Sequence, residues 1–367
     1  MSDHHNQQPK RTIVPFGPQH PVLPEPIHLD LVLEDEKIIE AIPSIGYIHR
    51  GLELLAEKIE YPEFVSVAER ICGICSFIHG LGYVQAVEDI LKLDVPTRAK
   101  YLRTMWSEFS RMQSHLLWLG LAADAFGFEN LFMASWKVRE SILDIFEETT
   151  GGRVIFNVCQ VGGLRKNVET DTLRRIKKDL DAIEIQIRNV CDIFVNDPST
   201  KHRLVGVGIL SKEMAHELGA VGPMLRASGI ASDTRMLGYA AYSDVKFDII
   251  TETAGDCYAR VLVRINEIYQ SLSIIRQLID KIPEEQVVYN KPKANPVGES
   301  FMRLEQPRGE VVYYAKGNGS KNLERFRART PTFANIAPML HVLKGQELAD
   351  VPNIVLTIDP CISCTER

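Results

Sequence analysis

The sequence predicts an α+β protein that is predominantly helical, with a central helix bundle and a small N-terminal β-sheet. From Tyr61 onward, apolar residues recur at the spacing of amphipathic helices. The first 45 residues instead combine prolines with alternating apolar and polar residues, which is typical of strands and turns. Glycine-rich, irregular segments at 206–229 and 291–335 predict loops and short strands that cap the bundle.

The N-terminal region divides into a polar head and a strand-forming segment. We expect residues 1–11 to be disordered, because MSDHHNQQPKR contains almost nothing that can be buried. The five prolines of IVPFGPQHPVLPEP then favour strands and tight turns. In IHLDLVLEDEKIIEAIPS, the alternation predicts a hairpin with its turn near residues 34–36. Residues 12–45 are therefore the predicted β-rich part.

The helical core is predicted over residues 60–285. Helical spacing covers 63–93, 98–126, 135–148, 171–195 and 259–282. Apolar stripes of this kind are more often packing faces than cofactor contacts, so we interpret them as the faces of a four-helix-type core. Residues 286–367 form the predicted loop and strand region, and 12–367 are expected to make a single domain.

Composition excludes several classes of protein. Apolar residues make up 45% of the chain and charged residues 25%, which is typical of a soluble globular protein. A net charge of -6 and a pI near 6.0 argue against nucleic acid as a partner. No window reaches the roughly 18 uninterrupted apolar residues that a membrane-spanning helix needs.

Two CxxC pairs near opposite ends of the sequence carry the strongest chemical signal. Cys72 and Cys75 lie in RICGICSFIH, and Cys361 and Cys364 lie in DPCISCTER. Residues at i and i+3 of a helix project from one face, so we expect the first pair to present both sulfurs from inside a helix. The second pair follows the apolar run NIVLTI (353–358) and a proline, which predicts a strand end. Four thiolates brought together in this way would suit a soft transition metal.

The cysteines admit three other interpretations. A structural zinc site remains open, although zinc ligands usually lie within a few dozen residues of each other. A thioredoxin-like pair would open a helix after a strand, whereas SVAER before Cys72 is helical in pattern. Disulfides are disfavoured by the odd count of seven cysteines and by the lack of a secretory signal. Cys159, Cys191 and Cys257 lack paired spacing and are expected to be small buried residues.

Together, the two motifs resemble those of the catalytic large subunit of nickel-iron hydrogenases. The matching residues of R-x-C-G-x-C-x-x-x-H and D-P-C-x-x-C-x-x-R are Arg70, Cys72, Gly73, Cys75, His79, Asp359, Pro360, Cys361, Cys364 and Arg367. Within that family the opening PFGPQHP, the short length and the final arginine are most similar to the energy-converting, membrane-associated branch. This branch includes the ferredoxin-linked and carbon-monoxide-linked enzymes and is related to the quinone-site subunit of respiratory complex I, whose members lack the cysteine ligands.

The resemblance implies a nickel-iron centre. Cys72 and Cys361 match the terminal nickel ligands, and Cys75 and Cys364 match the thiolates that bridge nickel to an iron carrying carbon monoxide and cyanide. Cleavage of dihydrogen also needs a base, and we take Cys361 as that base. Glu25 matches the glutamate that relays the proton onward, although by its composition alone a glutamate between two prolines would be a surface residue.

Further residues are assigned around this centre by the same resemblance. Arg308 matches an arginine that overhangs the open metal position, and Pro331 and Thr332 match a segment that hydrogen-bonds a cyanide. His79 either donates to a bridging sulfur or is a satisfied core histidine. Asp359 is either a buried carboxylate beside the cluster or an ordinary turn residue before proline.

A second metal ion, magnesium or iron, is the least supported expectation. Glu53 matches a glutamate that binds such an ion in many relatives. Arg367, however, stands where those relatives have the histidine that completes the ligands, which argues against the ion here. Relatives are often made with a C-terminal extension that a protease removes after the position of Arg367. The chain ends where a matured product would, and both a removed extension and one never encoded remain open.

The resemblance also implies partners and a place in the cell. No ferredoxin-type cysteine run occurs, so iron-sulfur clusters are expected only in partner chains: a small subunit, a ferredoxin-like electron-transfer subunit and ferredoxin. Maturation proteins and integral membrane subunits complete the set, with this chain on the cytoplasmic side of the membrane. The alternatives are a metal-free scaffold of a complex I-like quinone reductase and a zinc-holding assembly protein.

Overall fold

The structure, a computed structural model, describes residues 11–367 and confirms the predicted fold class. Helices dominate, and the strands form small antiparallel sheets at the margins. Of the head predicted to be disordered, residues 1–10 lie outside the described part, and Arg11 is the first residue of a strand. None of the helices in residues 11–367 is long and apolar enough to cross a membrane.

The helices are numbered in chain order. They are α1 (Leu52–Leu55), α2 (Val65–Glu69), α3 (Ser76–Leu91), α4 (Thr97–Ala125), α5 (Glu129–Thr150), α6 (Thr170–Asn196), α7 (Pro198–Leu204), α8 (Lys212–Glu217), α9 (Pro223–Arg226), α10 (Cys257–Lys281), α11 (Pro331–Leu343), α12 (Val351–Ile358) and α13 (Ile362–Glu366). The long helices α4, α5, α6 and α10 pack against one another as the bundle, and α3 lies between α4 and a sheet.

The strands form three small sheets. They are β1 (Arg11–Phe16), β2 (His28–Glu34), β3 (Lys37–Ser44), β4 (Cys159–Gln160), β5 (Gly163–Leu164), β6 (Val297–Gln306), β7 (Gly309–Asn318) and β8 (Leu323–Arg329). β1, β2 and β3 pair in that order, so the predicted hairpin and its turn are confirmed. β6, β7 and β8 form a second antiparallel sheet, whose first hairpin turns at residues 306–309.

The predicted apolar stripe of α6 is buried. Its members are Leu173, Ile176, Leu180, Ile183, Ile187 and Val190. Charged residues cover the opposite face, as expected for a helix on the outside of a bundle. Burial of this stripe contributes roughly 1.5–3 kcal/mol for each large side chain, before the loss of conformational entropy is counted.

Three local predictions are wrong. Cys72 and Cys75 do not lie inside a helix, because α2 ends at Glu69 and α3 begins at Ser76. Residues 353–358 belong to α12 and not to a strand. All six are buried, and so short a run has no periodicity that separates helix from strand. The segment 291–335 contains ten-residue strands rather than short ones.

Charged side chains occupy the interior between α4 and α10. This ionic cluster consists of Glu108, Arg111, Arg226, Asp233, Arg235, Glu267 and Glu305. Arg226 lies 2.7 Å from both Glu267 and Glu305, and Arg235 lies 2.7 Å from Asp233 and 3.2 Å from Glu108. Three guanidinium groups thus face four carboxylates inside the bundle, so each buried charge has an opposite charge beside it.

Candidate metal centre

The first cysteine pair lies in the tight connection between α2 and α3. Cys75 is the residue that precedes α3, and the backbone N–H groups of Ile74 and Cys75 both point at the sulfur of Cys72, at 3.3 Å. Gln113 of α4 donates to the carbonyl of Ile74 at 2.7 Å. The long helix α4 therefore fixes the loop that carries both sulfurs.

The second pair lies at the start of α13. Asp359 ends α12 in a left-handed conformation (φ 61°), which turns the chain sharply into Pro360. Cys361 then caps α13, since its sulfur accepts the N–H of Cys364 at 3.4 Å. A helix end and a left-handed residue thus deliver the second pair, where the sequence had predicted a strand end.

The four cysteine sulfurs form one buried cluster, which we name the cradle. The sulfurs of Cys72, Cys75 and Cys364 lie within 4.8 Å of one another, and that of Cys361 is 3.3 Å from Cys72. Each of the four residues is at most 3% exposed. No disulfide joins them, so all four sulfurs remain available as ligands.

One thiol of the cradle is far more acidic than the others. Hydrogen bonds from Cys361, Cys364 and Cys75 hold the pKa of Cys72 well below its usual value. For Cys364, burial together with the hydrogen bonds to its neighbours raises the pKa well above the ordinary range. Several thiolates this close together would repel one another, so a divalent cation would be needed to stabilise them in the same cluster.

Arg308 is the cation of the site. It lies at the turn between β6 and β7, donates to the carbonyl and to the carboxylate of Asp359, both at 2.8 Å, and approaches the sulfur of Cys75 at 3.3 Å. Burial lowers its pKa, but the carboxylate of Asp359 and the nearby sulfurs raise that pKa well above its usual value. Arg308 therefore stays charged in a nearly dry pocket.

Two glycines allow the backbone of the turn that carries Arg308 to pack closely against the neighbouring segment. A Cβ atom on Gly222 would come 2.3 Å from the carbonyl oxygen of Arg308, and one on Gly309 would come 2.6 Å from the backbone nitrogen of Gly222. Both glycines also have positive φ angles, 65° and 129°. Backbone packs on backbone here, which leaves no room for any side chain.

His79 joins α3 to the cradle. Its Nε2 lies 3.2 Å from the sulfur of Cys364, and its Nδ1 lies 2.8 Å from the hydroxyl of Tyr313. Burial lowers the pKa of His79 to about 4, so the ring is neutral at physiological pH. In the tautomer with the ring proton on Nε2, the Tyr313 hydroxyl donates to Nδ1 and the Nε2–H group faces the sulfur.

Pro331 and Thr332 form the first turn of α11, beside the second cysteine pair. The hydroxyl of Thr332 accepts the N–H of Cys361 at 3.0 Å, and Thr330 donates to the carbonyl of Cys364 at the same distance. Pro331 is buried at the first position of the helix, where its missing N–H costs nothing. The segment thus holds the cysteine backbone in place.

Glu25 reaches the second pair from the N-terminal segment. Its carboxylate accepts the backbone N–H groups of Ile362 and Ser363, the latter at 3.1 Å, and the hydroxyl of Ser363. These residues directly follow Cys361 in the chain. A glutamate that composition alone would put at the surface is therefore half-buried next to a cysteine of the cradle.

Glu53 has no free oxygen for a second metal ion. One carboxylate oxygen accepts from Arg367 at 2.8 Å and from the N–H of Ala328 at 2.9 Å, and the other accepts from Arg327 at 2.9 Å. Two guanidinium groups thus occupy the positions at which a cation would bind. The residues present do not fit magnesium or iron at this point.

Several residues of the site escaped prediction from the sequence. Gln306, whose side-chain amide lies 3.2 Å from Nε2 of His79, and Tyr313 both come from the β6–β7 hairpin, far from either cysteine pair in the sequence. Arg50 donates to carbonyls beside both pairs. Gln306 lies in QPRGE, the segment from which Arg308 was predicted, and Arg50 lies in HRGLELL, the segment from which Glu53 was predicted. These positions are the one signal that the sequence gives for Gln306 and Arg50.

The chemistry of the cradle fits a soft transition metal. Sulfur is the ligand that nickel, iron, zinc and copper share, and no carboxylate or imidazole takes the place of a thiol among the four. A single buried arginine offers positive charge to anionic groups at one side. With the predominantly helical fold, these features define the class of large subunits built around a four-cysteine centre.

Comparison with known proteins shows the family. Residues 126–296 and 288–367 match the model of the 49-kDa subunit of respiratory-chain NADH dehydrogenase, and residues 50–123 match that of nickel-dependent hydrogenases. The chain belongs to this joint family of oxidoreductase subunits.

Relatives from both sides of the family match nearly the whole chain. The membrane-bound hydrogenase subunit alpha of Pyrococcus furiosus is 35% identical, over 96% of this chain and 87% of its own length. The carbon monoxide-induced hydrogenase of Rhodospirillum rubrum is 34% identical, over 96% and 99%. One subunit of the F(420)H(2) dehydrogenase of Methanosarcina mazei is 37% identical, over 97% of both chains.

Proposed function

We propose that this chain is the catalytic subunit of an energy-converting nickel-iron hydrogenase. It would catalyse reversible heterolytic cleavage of dihydrogen and, in the other direction, the reduction of protons. The observation that carries the proposal is the cluster of four buried cysteine sulfurs, assembled from two segments 289 residues apart. A scaffold without metal has no use for such a cluster.

In this proposal all four cysteines would hold the metal centre: Cys72 and Cys361 would bind nickel alone, and Cys75 and Cys364 would bind both nickel and an iron that carries carbon monoxide and cyanide. When bound, the metal pair supplies the electron-pair acceptor that cleavage of dihydrogen requires. The positions of the protein groups support this assignment. The guanidinium of Arg308, next to Cys75, provides N–H groups for anionic iron ligands, and the Nε2–H of His79 faces the second bridging sulfur.

The proton released by dihydrogen is assigned to Cys361 and then to Glu25. Cys361 fits the role of base because its sulfur lies in the cradle, 3.3 Å from that of Cys72, and the two residues that follow it donate to the carboxylate of Glu25. Glu25 lies beside the same turn of chain and is half-buried, so it links the buried sulfur to the surface. Thr332 keeps the cysteine backbone oriented toward this route.

Electrons must leave through another chain. Cys159, Cys191 and Cys257 are buried singly, which leaves no second set of thiols in this sequence for an iron-sulfur cluster. We therefore propose an iron-sulfur small subunit as the direct partner, with ferredoxin as the donor through a ferredoxin-like subunit. We further propose integral membrane partners, coupled ion translocation and a place on the cytoplasmic face; similarity to the membrane-bound hydrogenase subunit alpha of Pyrococcus furiosus supports association with a membrane complex.

Infrared spectroscopy and elemental analysis of the anaerobically purified complex test the proposal. We expect sharp carbon monoxide and cyanide bands and about one nickel per chain, as a four-thiolate site predicts. Cys364→Ser should remove the bands and the nickel, whereas Cys191→Ala, at an equally buried but unpaired cysteine, should leave both unchanged. An assembled complex with zinc alone, or with neither metal nor bands, would overturn the proposal.

A second candidate is a metal-free quinone-site subunit of a complex I-like oxidoreductase. It is favoured by the match of residues 126–296 and 288–367 to the 49-kDa subunit of NADH dehydrogenase. The four cysteines argue against it. Quinone reduction by a nickel-free complex, unchanged in a Cys72→Ser variant, would establish this function instead.

A further inference from the structure

We propose that residues 46–53, which follow β3 and include the first two residues of α1, act as a clasp that holds the C-terminal cysteine pair against the N-terminal pair, with Arg50 as its positioning residue. The inference rests on the proposed function only for the identity of the metal. The contacts of the clasp are those of the protein chain itself, and they concern how the cradle is closed.

Arg50 bonds to both halves of the cradle at once. Its Nη1 donates to the carbonyl of Arg70 at 2.8 Å, and its Nη2 donates to the carbonyls of Ile71 and Ser363 at 2.9 and 2.8 Å. The first two carbonyls immediately precede Cys72, and the third lies between Cys361 and Cys364. One guanidinium therefore sets the distance between two segments that the sequence separates by almost the whole chain.

Backbone groups of the clasp also bind Glu366, which lies two residues after Cys364. The N–H groups of Gly46 and Ile48 donate to the two carboxylate oxygens of Glu366 at 2.5 and 2.6 Å. His49 contacts the carbonyl oxygen of Glu366 through Nδ1, also at 2.6 Å. At the far end of the clasp, Glu53 pairs with Arg367 at 2.8 Å. Residues 363–367 are thus bound along their length.

The clasp differs from the rest of the cradle in exposure. Arg50 and His49 are exposed, whereas the four cysteines are buried. A surface cavity of about 250 Å³ lies between the clasp and α13, lined by Gly46, His49 and Phe333 among others. Segments held by exposed polar contacts open locally at a much lower free energy than the packed core. Opening of the clasp would therefore expose the second cysteine pair while the bundle stays folded.

This arrangement gives Arg50 a role that a surface arginine does not ordinarily have. A metal ion must reach sulfurs that are at most 3% exposed, and release of residues 361–367 would open the cradle from the side of Cys361 and Cys364. We infer that the clasp controls loading and retention of the metal. Loss of one charge-assisted hydrogen-bond donor should raise the open population by at least about tenfold.

Thiol alkylation of the full metal-free chain tests the clasp. Iodoacetamide labelling, followed for each cysteine by mass spectrometry under native conditions, measures how often each sulfur becomes accessible. In Arg50→Gln we expect Cys361 and Cys364 to react at least about tenfold faster, and the buried Cys159 of β4 to react at its original rate. Arg276→Gln, which removes an arginine that bridges two carboxylates of α6, should leave all rates unchanged.

Two outcomes would overturn the inference. Equal rates at Cys361 and Cys364 in Arg50→Gln and in the unaltered chain would show that Arg50 does not hold the pair. Faster reaction of Cys159 to the same extent would show that Arg50 serves general stability. If Arg50→Gln does not fold, Glu366→Gln weakens the same clasp from its other side and carries the same expectation.

A second measurement concerns the metal itself. In the anaerobically assembled complex, Arg50→Gln should lose nickel to a chelator at least about tenfold faster, and Arg50→Lys, which keeps the charge but not the fork of donors, should lie in between. Equal rates of loss in the three proteins would contradict control by the clasp. Absence of nickel from the unaltered complex would overturn the proposed hydrogenase function, while the alkylation result would still decide the clasp.

Discussion

The cradle and the ionic cluster are both buried, but their polar groups are paired in different ways. In the ionic cluster the charged groups lie within 2.7–3.8 Å of an opposite charge, so the region is complete without a ligand. In the cradle, protein side chains bind the backbone around the cysteines and leave the sulfurs facing one another. Of these two polar interiors, the cradle is therefore the one whose arrangement suits binding of a cation.

The two regions are also joined. Arg111 of the ionic cluster donates to the carbonyls of Glu305 and Gln306, and Gln306 lies against His79. Burial raises the pKa of Glu305, although Arg226 opposes the shift, so this carboxyl group is the one in the cluster most ready to hold a proton. The ionic cluster is thus nearly charge-balanced and lies next to the cradle. Substitutions in the two regions should lower the free energy of unfolding by different amounts.

The largest effect is expected when the ionic cluster loses Arg226. Arg226→Met leaves Glu267 and Glu305 without their shared partner, and an uncompensated buried charge costs about 3–5 kcal/mol. Urea unfolding of the full chain should show this loss in the free energy of unfolding. Arg276→Met, at a partly exposed arginine with two carboxylate partners, should cost at most about 1 kcal/mol. Equal losses in the two variants would mean that the cluster is not a closed charge network.

The next effect depends on pH and concerns His115, which lies 2.9 Å from Glu267. Burial lowers the pKa of His115 to about 4, from an ordinary 6.5, so between these values the unfolded chain binds more protons than the folded one. Stability should therefore fall as pH falls through this window, by up to about 3 kcal/mol from this residue. Unfolding of His115→Gln between pH 7 and pH 4 should give a flatter profile than the unaltered chain, and parallel profiles would contradict the assignment.

In the cradle, Arg308→Gln should have a smaller effect on stability than Arg226→Met. Arg308 pairs with the carboxylate of Asp359 alone, whereas Arg226 serves two carboxylates, so we expect a loss of about 2 kcal/mol. Denaturant unfolding of the metal-free chain measures it. Arg308→Lys, which keeps the positive charge, should recover part of this loss. A cost above that of Arg226→Met would reverse the proposed ranking of the two regions.

The smallest effect is expected at Thr332. Thr332→Val keeps the shape of the side chain but leaves the buried N–H of Cys361 without its acceptor, at a cost of about 1 kcal/mol. Thr332→Ser, which retains the hydroxyl, should cost less. Thermal unfolding of the two variants side by side makes the comparison, and a larger loss in the serine variant would show that packing outweighs the hydrogen bond.

Much of the fold was predictable from local patterns. The hairpin of β2 and β3 and the stripe of α6 follow directly from alternation and from helical spacing. The cysteine pairs were recognisable because their spacing is unusual, and the structure brings both into one cluster. Arg308 and His79 were named from motif resemblance, and the structure puts both against cradle sulfurs.

What escaped prediction depends on contacts between distant segments. The second cysteine pair follows α12, although the sequence predicted a strand there. All six residues of NIVLTI are buried, including Asn353 and Thr357, and so short a run does not show its period. The ionic cluster was missed because each of its charges is separately compatible with a solvated face. On α4, His115 is buried in this polar interior, whereas Asp124 near the end of the helix is exposed.

The close backbone contact between Gly222 and Gly309 has a consequence for how this family can be altered. The charge beside the sulfurs is aimed by two residues that have no side chain, one of them 86 positions earlier in the sequence than Arg308. A single methyl group added at position 222 would lift the hairpin turn and swing the guanidinium out of line, leaving every reactive residue intact. Searches for damaging changes that consider only chemically reactive positions would overlook it.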